Sequence, residues 1–212
     1  MKTGAATPEQ TPVRELYAEG LRYLMGEGSL NNALARLCED LERHRIDYMV
    51  IGAVALMAHG YPRFTEDIDL VLTREGLEAF HRELVGLGYP PAFEGALKRL
   101  RATRGGVPVE VILAGEYPGD GRPKPVVFPE PAAASVELDG VRVVTLEKLI
   151  ELKLASGMTA PDRLKDLADV QELIKARGLG SEFAARLDPY VREQYLRLWE
   201  GVEQGRRRDV EE

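Results

Sequence analysis

The sequence predicts an α/β (α+β) fold, a small mixed β-sheet flanked by helices and followed by a helical C-terminal appendage. Three observations carry this expectation. Between residues 47 and 113, short apolar runs alternate with segments of helical periodicity. Asp139-Gly140 lies between two four-residue strand-like runs, a strong hairpin signal. From Thr145 onward the apolar positions follow a helical repeat.

Taken in order, residues 1–10 read as a disordered arm, and Thr11-Pro12 as the cap and first position of a helix running to about residue 25. Gly26 and Gly28 break it. A second helix over 30–44 follows from the spacing of Leu30, Ala33, Leu34, Leu37, Cys38 and Leu41. Residues 47–52 read as a buried strand, 53–59 as a short helix closed by Gly60, 67–72 as a strand and 74–87 as a helix. Strands at 97–103 and 108–113 flank a Gly105-Gly106 turn. Five prolines within 116–131 exclude a helix or central strand, leaving an ordered loop. Strands at 135–138 and 141–144 form the hairpin. Helices at 145–156 and 162–176, and one opened by Asp188-Pro189, complete the chain. The expected organisation is an N-terminal arm and helix (1–28), a catalytic core (29–144), a C-terminal helical region (145–205) and a flexible tail (206–212).

The 28 basic and 35 acidic residues give a net charge of −7, which argues against a surface coated in basic charge to grip long nucleic acid. A small basic cleft for a nucleotide or an RNA end is compatible with it. Cys38 is the sole cysteine and reads as a buried hydrophobe, as expected in a reducing cytoplasm. No run approaches the length of a membrane span, and the N-terminus lacks the apolar core of a secretory signal.

The chemistry concentrates in IGAVALMAHGYPRFTEDIDLVL, residues 51–72. Asp67 and Asp69, one residue apart on a strand, point to the same face. Two adjacent carboxylates repel unless a cation neutralises them, and a hard divalent ion is the natural partner. Gly52 at a helix start lets a phosphate approach backbone N–H groups. Arg63 and Thr65 could add a cationic fork and a hydroxyl. Lys153 falls on the apolar stripe of Leu146, Leu149, Ile150 and Leu154, so it needs a partner: a phosphate, or Asp166 or Asp169. A snorkelling stem or a structural ion pair explains it equally well. Lys165 and Asp169 are spaced as a surface i,i+4 pair. His59 reads as a packed or capping histidine before a substrate contact, Tyr195 and Trp199 as core or interface, and Arg206–Arg208 as a solvated run.

This pattern resembles the DNA polymerase β-like nucleotidyltransferase superfamily, and within it the small prokaryotic nucleotidyltransferases related to abortive-infection toxins. The matching residues are Gly52, Ala53, Ala55, His59-Gly60, Arg63, Thr65 and Asp67-Ile68-Asp69, then Glu110, Lys153, Arg163, Lys165-Asp166 and Asp169. The resemblance implies a nucleotidyltransferase-type sheet and two Mg²⁺ (or Mn²⁺) ions held by Asp67, Asp69 and Glu110. Gly52, Ala53, Arg63, Thr65 and Lys153 would bind a nucleoside triphosphate such as ATP. The acceptor would be an RNA end, a protein or a small molecule, and an antitoxin or a second copy could be a partner. The chain departs from the family in carrying Ala53 for a second glycine or serine, and Glu110 for the commoner aspartate. These departures keep open the alternative of a non-catalytic nucleotide- or partner-binding protein.

Overall fold

The computed structural model describes residues 18, 20, 22 and 27–211. The N-terminal arm expected over 1–10 lies outside the described residues. Of the first helix only positions 18, 20 and 22 are described, and these are helical.

The helices are α1 (Ser29–Arg43), α2 (Gly52–Ala58), α3 (Arg74–Glu83), α4 (Pro131–Ala134), α5 (Leu146–Thr159), α6 (Leu164–Arg177) and α7 (Pro189–Glu211). The strands are β1 (Tyr48–Val50), β2 (Ile68–Leu72), β3 (Arg99–Arg101), β4 (Pro108–Leu113), β5 (Ser135–Leu138) and β6 (Val141–Val144). They form one mixed six-stranded sheet in the order β3-β4-β2-β1-β6-β5. The β2–β4 and β1–β6 pairs are parallel, and the β1–β2, β3–β4 and β5–β6 pairs antiparallel.

Period-two burial sets the faces. Along β4, Val109, Val111 and Leu113 are buried while Pro108, Glu110 and Ile112 are only partly so. On β2, Ile68 and Leu70 are fully buried with Asp69 between them. The β5–β6 hairpin turns through Asp139 (φ 50°) and Gly140 (φ 77°), the left-handed pair that a two-residue turn of this type requires. α1 buries Leu30, Ala33, Leu34, Leu37, Cys38 and Leu41, the stripe its spacing predicts.

Several boundaries move. α3 ends at Glu83 rather than near 87, because Gly86 and Gly88 adopt φ of 92° and 143°. β3 is three residues long, and Asp67 lies one residue ahead of β2. α5 runs three residues past Ser156 to Thr159, and Pro161 ends it. α7 continues to Glu211, so the segment from 206 is helical where a flexible tail was expected. Asp188 caps α7, its Oδ1 accepting from the Tyr190 N–H at 2.9 Å.

α5 is buried along Leu149–Ser156, because it packs on α2, α6 and α7 at once. This brings the C-terminal helices against the core at the level of the two aspartates. Among the described residues no helix is long and apolar enough to cross a membrane.

Candidate active site

Parallel pairing of β2 with β4 sets Asp69 beside Glu110, and antiparallel pairing of β4 with β3 sets Glu110 beside Arg99. The three form one row across the sheet. Arg99 Nε lies 3.7 Å from Glu110 Oε1, in a half-exposed pair. Asp67, just before β2, accepts from the Thr65 hydroxyl. Thr65 therefore fixes a carboxylate, a role its spacing left open.

Gly52, the first residue of α2, has φ 66°. A Cβ there would overlap Asp69 Oδ2 and stand 3.1 Å from the carboxylate carbon. The glycine expected to admit a phosphate thus also admits the Asp69 carboxylate. Ala53 follows it and is buried.

These residues line a cavity of about 320 Å³, within the usual range for small-molecule sites. Gly52, Ala53, Arg63, Thr65, Asp67, Asp69, Glu110 and Lys153, every residue singled out from the sequence as catalytic or nucleotide-binding, border it. Its cations are Arg63, Lys153, Arg163 and Lys165. The proline-rich loop, whose Gly119 packs against Ser156 and Thr159 of α5, contributes Glu116, Tyr117, Pro118, Gly119 and Phe128.

Two of the expected phosphate ligands already have partners. Lys153 Nζ donates to Asp166 Oδ1 at 2.9 Å and to Asp169 Oδ2 at 2.7 Å, and Arg63 Nη1 donates to the same Asp169 oxygen at 2.7 Å. The Ser156 hydroxyl donates to Asp166 Oδ2 at 2.7 Å. Lys153 is ion-paired to the two aspartates named as its possible partners, and it also borders the cavity. The surface pair expected between Lys165 and Asp169 does not form. Asp169 is buried on the inner face of α6 while Lys165 is exposed.

Burial, reinforced by the negative charges of Asp67 and Glu110, pushes the Asp69 carboxyl up to about 6. Among the described residues it has no hydrogen-bond donor. His59 is packed: its ring Nε2–H donates to the Val144 carbonyl at 2.7 Å, and burial lowers its pKa.

Sequence reasoning missed the loop wall and Ser156. The prolines identify 116–131 as an ordered loop, but local sequence does not say where such a loop packs. Internal hydrogen bonds hold it. The Gly115 N–H donates to the Phe128 carbonyl, the Phe128 N–H to the Glu116 carbonyl, and Lys124 to the Pro118 carbonyl and Asp120.

No family profile matches the sequence, and no curated protein matches it. Among solved structures, the solution structure of the antibiotic-resistance factor ANT(2'')-Ia aligns over 84% of this chain and 96% of its own, at TM-score 0.51 and 16% identity. The same factor crystallised with adenylyl-2''-tobramycin aligns over 85% of this chain and 95% of its own, at TM-score 0.47 and 16% identity. An antigenic nucleotidyltransferase-like protein from Paracoccidioides brasiliensis aligns over 69% of this chain and 76% of its own, at TM-score 0.47 and 18% identity. The chain therefore shares its fold with that antibiotic-resistance factor.

Proposed function

We propose that this chain is a metal-dependent nucleotidyltransferase that moves a nucleoside monophosphate from a nucleoside triphosphate to an acceptor hydroxyl. The observation that carries the proposal is that Asp67, Asp69 and Glu110 border one cavity together with the cations Arg63, Lys153, Arg163 and Lys165.

A divalent ion fits the donor set. Asp69 is a carboxylate without a hydrogen-bond donor among the described residues, in a site that resists its charge. Among those residues no group of three His, Cys, Asp or Glu side chains is placed to hold a metal ion by itself, so substrate phosphates would have to complete the shell of a Mg²⁺ bound by one or two carboxylates. Asp67 and Asp69 would hold it, with Glu110 serving a second ion on the acceptor side. When bound, the metal supplies charge neutralisation and a more acidic acceptor hydroxyl.

The chain's own groups do the rest. Arg63 and Lys153, with the first-turn amides at Gly52 and Ala53, orient the triphosphate. Thr65 holds Asp67 in place. Glu110, one strand away from Asp69, is the candidate to take the acceptor proton. The cavity wall formed by Leu149, Leu152 and Phe128 limits water. Catalysis of this kind rests on positioning and electrostatics.

The test is incubation with each α-labelled nucleotide and Mg²⁺ or Mn²⁺, against RNA ends, proteins and hydroxylated small molecules including an aminoglycoside. Label should move to one acceptor class with release of pyrophosphate, and EDTA should stop it. Nucleotide binding without transfer to any acceptor would favour a non-catalytic binding protein. Glu110→Gln keeps the shape of the side chain and removes its charge. Transfer should slow by roughly 100-fold, with nucleotide affinity within about threefold of the parent, because the proposed phosphate contacts are made by Arg63, Lys153 and the backbone at Gly52 and Ala53 rather than by Glu110. A Glu110→Gln enzyme as fast as the parent removes Glu110 from the mechanism.

A further inference from the structure

Arg63 and Lys153 reach the cavity from distant parts of the chain. Arg63 comes from the segment between α2 and β2, and Lys153 from α5. Two cations brought side by side repel, and neither element's local structure aims one at the other. Asp169 on α6 brings them together. Its Oδ2 accepts from Arg63 Nη1 and from Lys153 Nζ, each at 2.7 Å.

Their relative placement shows which partner acts on which. Arg63 and Lys153 border the cavity and Asp169 does not. Asp169 is 4% exposed, whereas the Arg63 side chain is 28% exposed. The carboxylate thus stands behind the two cations. Lys153 has a second anchor in Asp166 at 2.9 Å. Arg63 has no other side-chain partner among the described residues. A long arginine with a single anchor takes its direction from that anchor, and a charge-assisted bond is strong enough to set it. Buried ion clusters contribute little net stability, because desolvation offsets attraction; the main consequence here is geometrical.

We propose that Asp169 is a positioning residue for nucleotide binding, holding Arg63 at the cavity wall and pairing it with Lys153 as a two-pronged phosphate receptor. The proposal rests on the nucleotidyl-transfer reading. It assigns to α6, remote in sequence from the aspartates, a direct effect on triphosphate affinity. The uncharged amide in Asp169→Asn keeps the side chain's volume but gives up the charge that attracts both donors. Arg63 should lose its direction, while Lys153 stays with Asp166.

The experiment is calorimetric binding of the α,β-methylene analogues of ATP, GTP, CTP and UTP, with Mg²⁺, to the full chain. The parent, Asp169→Asn, Arg63→Ala and the double variant are compared, with melting temperatures alongside. Asp169→Asn should weaken the preferred analogue by about 10-fold. The double variant should bind no more weakly than Arg63→Ala, because the two residues act as one unit. A merely structural Asp169 would lower the melting temperature, leave affinity per folded molecule unchanged and add independently to Arg63→Ala; that result overturns the proposal. If Asp169→Asn does not fold, Asp169→Glu keeps the charge and displaces it by a methylene. Weakened binding that is again non-additive with Arg63→Ala then supports the proposal, and parental affinity overturns it. A parent that binds none of the four analogues overturns the nucleotidyl-transfer reading and this inference with it. A parent that binds, with Asp169 variants that bind equally well, leaves that reading standing and overturns this inference alone.

Discussion

Asp69→Asn is expected to lower nucleotidyl transfer by roughly 1,000-fold or more and to leave the fold intact. The catalytic half follows from position. Asp69 stands in register with Glu110, two residues from Asp67, at the floor of the cavity. Replacing its carboxylate with an amide removes one of two ligands from a cation site that has few to lose. The structural half follows from charge. The folded protein resists ionisation of Asp69, through burial and through Asp67 and Glu110. Asparagine has the same shape and removes that repulsion, so the metal-free variant should melt at or above the parental temperature. Each kcal/mol gained would raise it by about 2–4 °C in a chain of this size.

The sign of the pH dependence gives a second check on the same variant. The Asp69 pKa is about 6 in the folded state, against 3.8 for the ordinary carboxyl. The folded chain therefore holds this proton more tightly than the unfolded chain does. The group's favourable contribution is complete below pH 3.8, and is lost as pH rises through about 6. In EDTA, the melting temperature of Asp69→Asn minus that of the parent should be near zero at pH 4. It should grow to pH 6–7 and then level off. Mg²⁺ should reverse the order by raising the parent and not the variant, since binding to the folded state alone stabilises it. A parent indifferent to Mg²⁺ and Mn²⁺ between pH 7 and 8, with or without nucleotide, would remove the metal from the proposal.

Local pattern carried most of what the sequence made legible. The β5–β6 hairpin matches its expected bounds because Asp139-Gly140 determines the turn by itself. α1 matches within a residue because its apolar stripe is unambiguous. Asp67 and Asp69 both border the cavity, as their shared face led one to expect, but Asp67 lies ahead of β2, so strand periodicity governs Asp69 alone. Long-range packing was not legible. Nothing in the i,i+4 spacing of Lys165 and Asp169 reveals that Asp169 turns inward to Arg63, which is 106 positions away. Nor do five prolines reveal that their loop walls the cavity. Lys153 falls between these cases. Its place on an apolar stripe correctly demands a partner, but only the docking of α6 on α5 identifies Asp166 and Asp169 as that partner.

Gly52→Ala is expected to be nearly as damaging to transfer as Asp69→Asn, and unlike it to cost stability. Two independent effects meet at this residue. Its φ of 66° is left-handed, where a side chain costs about 1–2 kcal/mol. The added methyl would also overlap Asp69 Oδ2, with the carboxylate carbon only 3.1 Å away. The start of α2 is tied to β2 through the Ile51 N–H, which donates to the Asp69 carbonyl at 2.9 Å. The backbone therefore has little freedom to retreat, and the Asp69 carboxylate must swing out of its place beside Asp67. Transfer should fall by at least ~100-fold, and the melting temperature should drop by several degrees. The cause can be isolated with Asp69→Ala. Once the carboxylate is gone, the overlap is removed; the Cβ of residue 69, at 3.3 Å, and the backbone strain remain. Gly52→Ala should therefore destabilise the Asp69→Ala background less than it destabilises the parent, by about 1 kcal/mol or more. Equal destabilisation in both backgrounds would show that strain at φ 66° is the whole effect, and that Asp69 does not lean on the Gly52 backbone. If Gly52→Ala also transferred nucleotide at the parental rate, the close approach of Asp69 to Gly52 would have no part in catalysis.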